Sequence, residues 1–405
     1  MNKPKSRTPF QPGTLEKVLI AAQMAITSID SGVMTLDDRL DQAPEDCRRM
    51  LEHLLMQFYR YRKSIRKAWK KFCRKEPSAQ IGALLDAALT QCLFQSQVNS
   101  HSVVNVAVTL AKAEHADKFV NAVLRAVLRE NYQQPARAQD ILPDGILKRW
   151  RKSFSADQVE KFAGLFLAKP EFTFRVCRGG QIPDDCSAVT GFEPFVFAKG
   201  APAGVLRSAE FAGGAYYIQD PAASMAVSLA AEVLPGCHSL LDLCAAPGGK
   251  TLQAAELLPA GAKITASDIS ANRQKLTREN LQLRHIDAET PVSKPEKLSG
   301  SFDFVIADVP CSNSGVFRRR PDALWRFSEK SLAEVMKLQK EIVCQAAGLT
   351  APGGYLLLST CSIEADENEA LGKNLTGFVQ LKSRTLLPDE SCDGAFASLW
   401  QKLPV

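Results

Sequence analysis

The sequence predicts two folds in series, an all-helical domain followed by a doubly wound α/β domain. Three observations predict them. Apolar residues recur at helical spacing through the first third, as in "IGALLDAALTQCLFQ" and "FVNAVLRAVLREN". From about residue 219 onward, short apolar strands alternate with helical segments, which implies a parallel sheet. At 405 residues the chain is too long for one core and suits two or three domains.

The elements follow in order. Residues 14 to about 131 read as helical, with few Pro or Gly after "FQPG". "YQQPARAQDILPDG" reads as a linker because prolines and a glycine interrupt it. "ILKRWRKSFSADQVEKFAGLFLA" is a further helical patch. "KPEFTFRVCRGGQIPDDCSAVTGFEPFVFAKGAPAGV" reads as short strands and loops. The strands "SLLDLCAA", "AKITASDI", "FDFVIADVP" and "GGYLLLSTCSI" then alternate with helices such as "NRQKLTRENLQL" and "SLAEVMKLQKEIVCQAAGLT". The expected boundaries are 1–135 for the helical domain, 136–210 for a linker and small connecting subdomain, and 211–405 for the α/β domain. Ligands of such sheets sit beyond the carboxyl ends of the strands, so chemistry is sought at those four strand tails.

Composition narrows the class. Apolar residues make 45% and charged residues 23% of the chain, values of an ordinary globular protein. No apolar run approaches the roughly 18 to 20 residues that span a membrane. The start, "MNKPKSRTPFQPG", carries no apolar leader, so a cytoplasmic location and no membrane partner are expected. A net charge of +6 permits a polyanionic partner without requiring one. Eleven cysteines stand at irregular spacing with no CxxC, so reduced thiols and no metal are expected. Nothing demands more than a monomer.

"LDLCAAPGGKT" (241–251) ends like a phosphate-binding P-loop. That loop needs a glycine at 244, where Cys244 stands, and no other glycine restores the spacing. The stretch instead joins a strand to a helix through small residues, which lets a ligand approach backbone N–H groups. The next strand ends in Asp268, an acid suited to ribose hydroxyls and unfavourable to phosphate. Turn and acid together fit a nucleoside cofactor such as S-adenosylmethionine (SAM). A tight turn with an exposed Asp is the plainer alternative.

Two further strand tails carry cysteine. "FDFVIADVPCSNSG" places Asp308, Pro310 and Cys311 past one strand, and "GGYLLLSTCSIEADENE" places Thr360 and Cys361 past the next. A single cysteine is more often a core filler. Two at polar strand ends of one sheet point to chemistry.

"LDLCAAPGGKT", "DVPCSNSGV" with "RRRPDALWR", "LLLSTCSIEADENE", "YYIQDPAAS" and "DGAFASLWQK" together resemble the RsmB and NSUN family of RNA (cytosine-5)-methyltransferases, over about 145–405. "VNSHSVVNVAVTLAK" and "FVNAVLRAVLRE" resemble the NusB-type RNA-binding domain, a fusion similar to the RsmB branch, which acts on 16S ribosomal RNA. The resemblance implies a Rossmann-like SAM-dependent domain behind a NusB-like one, with RNA as partner. It implies a cofactor site of Cys244, Ala245, Ala246, Pro247, Gly248, Gly249 and Lys250, with Asp268, Arg273 and Asp308. An acid past the third strand belongs to the family's site, and Asp287 is the nearest candidate.

The chemistry explains the residue types. C5 of cytosine is a poor nucleophile until a thiolate adds to C6, and a donor at N3 then stabilises the developing charge. DNA cytosine-5 methyltransferases use the Cys of the Pro-Cys pair, here Cys311. The RNA family uses the Cys of the Thr-Cys pair, so the resemblance makes Cys361 the nucleophile and Cys311 the group assisting release. It sets Asp308 and Lys250 beside the base. The target must be unstacked, so single-stranded or loop RNA is expected. A rival reading is a NusB-like RNA-binding assembly factor whose methyltransferase domain is inactive. "RYRKSIRKAWKKFCRK" (60–75), with Phe58 just before it, shows an apolar face of Phe58, Tyr61, Ile65, Trp69 and Phe72, and its basic face is expected to meet phosphates through Lys63, Lys67 and Lys71.

Overall fold

Two compact units make up the chain, one of residues up to Ala168 with Phe317–Ser328, the other of Lys169–Val316 with Glu329–Val405. The computed structural model describes residues 12–130, 132–373 and 375–404. The polar stretch 1–11, from which the absence of a leader was read, lies outside them.

The first unit is helical. Helix α1 (Pro12–Asp30) buries Val18, Leu19, Ala22, Ala25, Ile26 and Ile29, a spacing that makes one apolar stripe. α2 (Glu45–Lys70) buries Leu51, Leu54, Leu55, Phe58, Ile65 and Trp69 against it. α3 (Ala79–Phe94) starts at Ser78, whose side chain accepts the Ile81 N–H, and is apolar nearly all round because it runs through the core. α4 (Ser100–Ala111) and α5 (Asp117–Arg129) complete the bundle. α6 (Asp144–Ser153) and α7 (Ala156–Leu167) belong to this unit, not to a connector; α7 opens on a Ser155–Gln158 capping box.

The stretch "RRRPDALWR" also belongs to this unit. Trp325 Nε1 donates to the Tyr59 carbonyl at 2.7 Å, and the Leu36 N–H donates to Asp322 at 3.3 Å. The Arg62 guanidinium lies 4.8 Å from the centre of the Trp325 ring.

The basic stretch makes ion pairs within its own unit. Arg62 and Arg66 both reach Asp30 (2.8 and 2.6 Å), and Arg66 also meets fully buried Asp86 at 2.7 Å. Trp69 Nε1 donates to the other Asp86 oxygen at 2.8 Å. Lys63 pairs with Asp144, Lys67 with Asp140, Lys70 with Glu76 and Lys71 with Glu130. These cations neutralise the unit's own acids, and the apolar face packs as read except for Phe72, which lies beyond the helix end and is exposed.

The second unit carries two sheets. The small one has strands β1 (Thr173–Val176), β2 (Ser187–Val189), β3 (Val196–Lys199) and β4 (Tyr216–Ile218) in the order β2-β3-β1-β4, all antiparallel. β4 pairs with β1, so this sheet extends past residue 210.

The large sheet has β5 (Ser239–Asp242), β6 (Lys263–Ala266), β7 (Phe302–Asp308), β8 (Thr350–Thr360), β9 (Phe378–Leu386) and β10 (Ala395–Lys402). Its order is β6-β5-β7-β8-β10-β9, parallel through β8 and antiparallel for the last two. Helices α8 (Gly249–Ala255), α9 (Ala271–Gln282) and α10 (Glu329–Leu349) follow β5, β6 and β7. Central strands are apolar on both faces, as sheets covered on both sides require: Leu240, Leu241, Phe304, Val305, Ile306, Leu356, Leu357 and Leu358 are all buried. Among the described residues, every cysteine is a free thiol, no cluster of metal-ligating side chains occurs, and no helix is long and apolar enough to cross a membrane.

Candidate active site

The chain leaves β5 toward β6 on one side and reaches β7 on the other, so a crevice opens over the carboxyl ends of β5 and β7. Loop 243–248 lines it. Gly248 has φ of +102°, a conformation glycine adopts without strain, and it caps α8. Gly249 is needed for space: a Cβ there would lie 3.1 Å from Gln219 Nε2 and 3.2 Å from the Tyr217 ring.

The sequence-predicted cofactor residues mostly converge on this loop. Asp268, past β6, is 4% exposed and accepts the N–H groups of Ser270 (2.9 Å) and Ala246 (3.3 Å). These bonds fix its carboxylate, which has about four acceptor positions in all. Arg273 donates to the Ala246 carbonyl at 2.7 Å, and Asn280 to that of Pro247 at 3.0 Å. Ala245 and Ala246 are buried. Burial, then the neighbouring Asp242, pushes the Cys244 thiol far up, so it is a neutral wall of the loop.

Asp287 is not brought to this place. The stretch 289–292 runs parallel beside β6 through Thr265–Glu289 and Asp268–Val292 bridges. Asp287 precedes it, exposed, at its amino end, and Ser293 and Lys294 stand at the carboxyl end instead.

Asp242, which sequence reasoning missed, ends β5. Thr251 Oγ1 donates to its Oδ2 at 2.7 Å, while its buried Oδ1 meets no hydrogen-bond partner. Burial raises this carboxyl to about 7, the Thr251 bond opposing the rise. An orphaned carboxylate oxygen beside a small-residue turn and a second acid suits SAM, which carries an ammonium, a sulfonium and a ribose but no phosphate. Asp242, loop 244–249 and Asp268 would hold it.

Across the crevice, Lys250 donates to Asp308 Oδ2 at 2.7 Å, and Ser359 Oγ donates to Oδ1 at 2.7 Å. Burial works against the Lys250 ammonium, but Asp308 overcomes it and holds its pKa above the ordinary lysine value. Past β7 and β8 stand the two cysteines, with Cys311 Sγ 3.2 Å from Cys361 Sγ. Asn313 donates to the Cys311 carbonyl at 3.0 Å, and its side-chain oxygen lies 3.3 Å from Cys361 Sγ. The Cys361 bond and then burial raise the Cys311 thiol well above the ordinary cysteine value, so Cys311 keeps its proton; either sulfur can be the donor in the 3.2 Å contact. A cleft of about 60 Å³ presents Lys250, Thr360 and Cys361 together with Asp220, Asp393 and Phe396.

The loops press together closely here. Gly315 N–H donates to the Cys361 carbonyl at 3.0 Å, and a Cβ on Gly315 would fall 2.3 Å from the Gly394 carbonyl oxygen. "SNSG" and "DGA" therefore carry glycines for contact between backbones.

Comparison with known proteins agrees with this architecture. Residues 235–388 match the family described as 16S rRNA methyltransferase RsmB/F, and residues 16–129 match the NusB family. The chain is 30% identical to the probable ribosomal RNA small subunit methyltransferase B of Bacillus subtilis (strain 168), over 71% of this chain and 70% of that protein. It is 32% identical to ribosomal RNA small subunit methyltransferase B of Serratia proteamaculans (strain 568), over 73% of each. Among solved structures, PH0851 superposes with a TM-score of 0.75 at 22% identity, covering 98% of this chain and 100% of that one. NSun6 from Pyrococcus horikoshii superposes with a TM-score of 0.56 at 16% identity, over 65% and 99%. These two show the fold. Crevice, loop and relatives together define a SAM-dependent RNA methyltransferase. The chain belongs to the 16S rRNA methyltransferase RsmB/F family.

Proposed function

We propose that this protein methylates C5 of a cytosine in 16S ribosomal RNA through a covalent adduct of Cys361 with C6. The observation that carries the reading is the pair of sulfurs 3.2 Å apart, at the carboxyl ends of β7 and β8, beside the Lys250–Asp308 pair. The Cys361 thiolate adds to C6, and the electron pair released into the ring makes C5 nucleophilic. SAM supplies the electrophilic methyl group. The Lys250–Asp308 pair would meet the N3 edge of the base and stabilise charge there. The C5 proton then leaves to a base, the electron pair expels the thiolate from C6, and the Cys311 thiol delivers a proton toward the departing Cys361 sulfur. The 16S RNA target is drawn from the relatives' names and the NusB-family match.

The test incubates Cys311→Ala and Cys361→Ala proteins with SAM and unmodified 16S ribosomal RNA, followed by a denaturing gel. A protein–RNA band that accumulates with Cys311→Ala and is absent with Cys361→Ala is expected. The reverse pattern would make Cys311 the nucleophile. No band with either variant, together with no methyl transfer by the unaltered protein, would favour an RNA-binding assembly factor.

A further inference from the structure

The mechanism above leaves unused the most enclosed carboxylate near the two cysteines. Glu367 is 0% exposed. Its Oε1 accepts the Ser312 N–H at 2.8 Å and Gln339 Nε2 at 3.0 Å, and its Oε2 accepts Ser312 Oγ at 2.5 Å and Ser362 Oγ at 2.7 Å. Ser312 follows Cys311 in sequence, and Ser362 follows Cys361. One carboxylate thus gathers donors from the residue after each cysteine. The same Gln339 nitrogen also donates to the Pro310 carbonyl at 2.9 Å, which ties the Cys311 loop to α10. Asn368 holds the other loop: Thr360 Oγ1 donates to its Oδ1 at 2.7 Å, and its Nδ2 donates to the Ser362 carbonyl at 2.9 Å.

Register between β7 and β8 ends at the Asp308–Ser359 pairing. Beyond it the ladder gives way to single backbone contacts, the Val309 N–H donating to the Ser359 carbonyl at 3.1 Å and the Gly315 N–H to the Cys361 carbonyl at 3.0 Å. A buried carboxylate is costly unless its acceptors are filled, and here the fillers flank the two sulfurs. Satisfying the charge therefore also draws the residues next to the two sulfurs onto one group.

We propose that Glu367 is a positioning residue that fixes the separation of the Cys311 and Cys361 sulfurs and so holds the Cys311 thiol as a donor to Cys361. Its consequence for methyl transfer rests on the two-cysteine reading above; the coupling of the sulfurs does not.

The test uses the full chain without RNA or SAM. Cys361 is alkylated with iodoacetamide, and its peptide is followed by mass spectrometry at neutral pH. Alkylation needs the thiolate, so it reports the donor beside the sulfur. Replacing Cys311 by Ala is expected to slow the reaction about fivefold, the worth of roughly one hydrogen bond. In a Glu367→Gln background the same replacement is expected to change the rate less than about twofold, the signature of lost coupling in a double-mutant cycle. Ser312→Ala leaves three donors on the carboxylate and is expected to fall between. Should Glu367→Gln not fold, Ser312→Ala decides by the same criterion. An undiminished fivefold effect in these backgrounds, or no effect of Cys311→Ala on the unaltered protein, overturns the proposal. Intact coupling without methyl transfer would sink the functional reading and leave this one standing.

Discussion

The Lys250 ammonium meets the Asp308 carboxylate at 2.7 Å, joining the first turn of α8 to the end of β7. The pair links loop 243–248 to the strand that leads to Cys311. Lysine in a first helical turn opposes the helix dipole, so its position there answers to Asp308 rather than to the helix. Lys250→Met is expected to abolish methyl transfer. It also leaves the Asp308 charge unpaired, which costs roughly 1–3 kcal/mol of stability in urea unfolding. Adding Asp308→Asn removes the orphaned charge, so the double variant recovers stability and stays inactive. A double variant no more stable than Lys250→Met would show that the pair does not carry this energy.

Asp242 makes the apo protein sensitive to pH. Its folded carboxyl lies near 7, above the ordinary aspartate value, because burial disfavours the charge. The sign follows from proton binding. Between about pH 4 and 7 the folded state holds a proton that the unfolded chain has lost, so stability falls as pH rises through that window and levels off above it. The change is on the order of a few kcal/mol. Asp242→Asn cannot ionise, so between pH 5 and 8 its melting temperature is expected to fall less than that of the unaltered protein. Parallel melting curves against pH would rule out this role.

What the sequence made legible was local. Strand tails, the Gly248–Gly249 turn and the cysteines of "PCSNSG" and "TCSIE" are read from runs of about ten residues, where patterning and chemistry coincide. What it hid was pairing at a distance. The basic stretch shows its charges, but Asp140, Asp144 and Glu130, which neutralise Lys67, Lys63 and Lys71, lie about 60 to 80 residues away. The edge segment 289–292 is too short to show a strand period, so its direction and the end at which Asp287 falls were unreadable. Glu367 stood in plain view within "EADENE", yet its burial and four donors are facts of packing. "RRRPDALWR" sits between strands of the α/β domain in sequence, but its Trp325 and Asp322 bind into the helical unit.

The ion pairs of α2 revise where RNA affinity should be sought. Lys63→Gln, Lys67→Gln and Lys71→Gln together are expected to leave the salt dependence of RNA binding unchanged, because their charges already face acids of the same unit. Arg66→Met is expected to act on stability instead. It strips fully buried Asp86 of its cation, a loss worth about 3–5 kcal/mol. Adding Asp86→Asn should recover part of that. A salt slope that flattens in the triple lysine variant would return the basic helix to the RNA interface.

Two of the acids expected at the cofactor, Asp268 and Asp287, separate cleanly in the structure, and calorimetric titration with SAM distinguishes them. Asp268 is enclosed, held by the N–H groups of Ala246 and Ser270, and continuous with the loop that Arg273 also grips. Asp268→Ala removes the proposed partner of the ribose hydroxyls and the acceptor that shapes the loop. Its dissociation constant for SAM is expected to rise at least about tenfold, the loss of one or two good hydrogen bonds. Asp287 stands exposed at the amino end of its segment, away from the strand tails, so Asp287→Ala is expected to leave the constant within about twofold. Equal losses in the two variants would mean that the edge segment pairs with β6 in another register, and that the acid past the third strand is Asp287 after all.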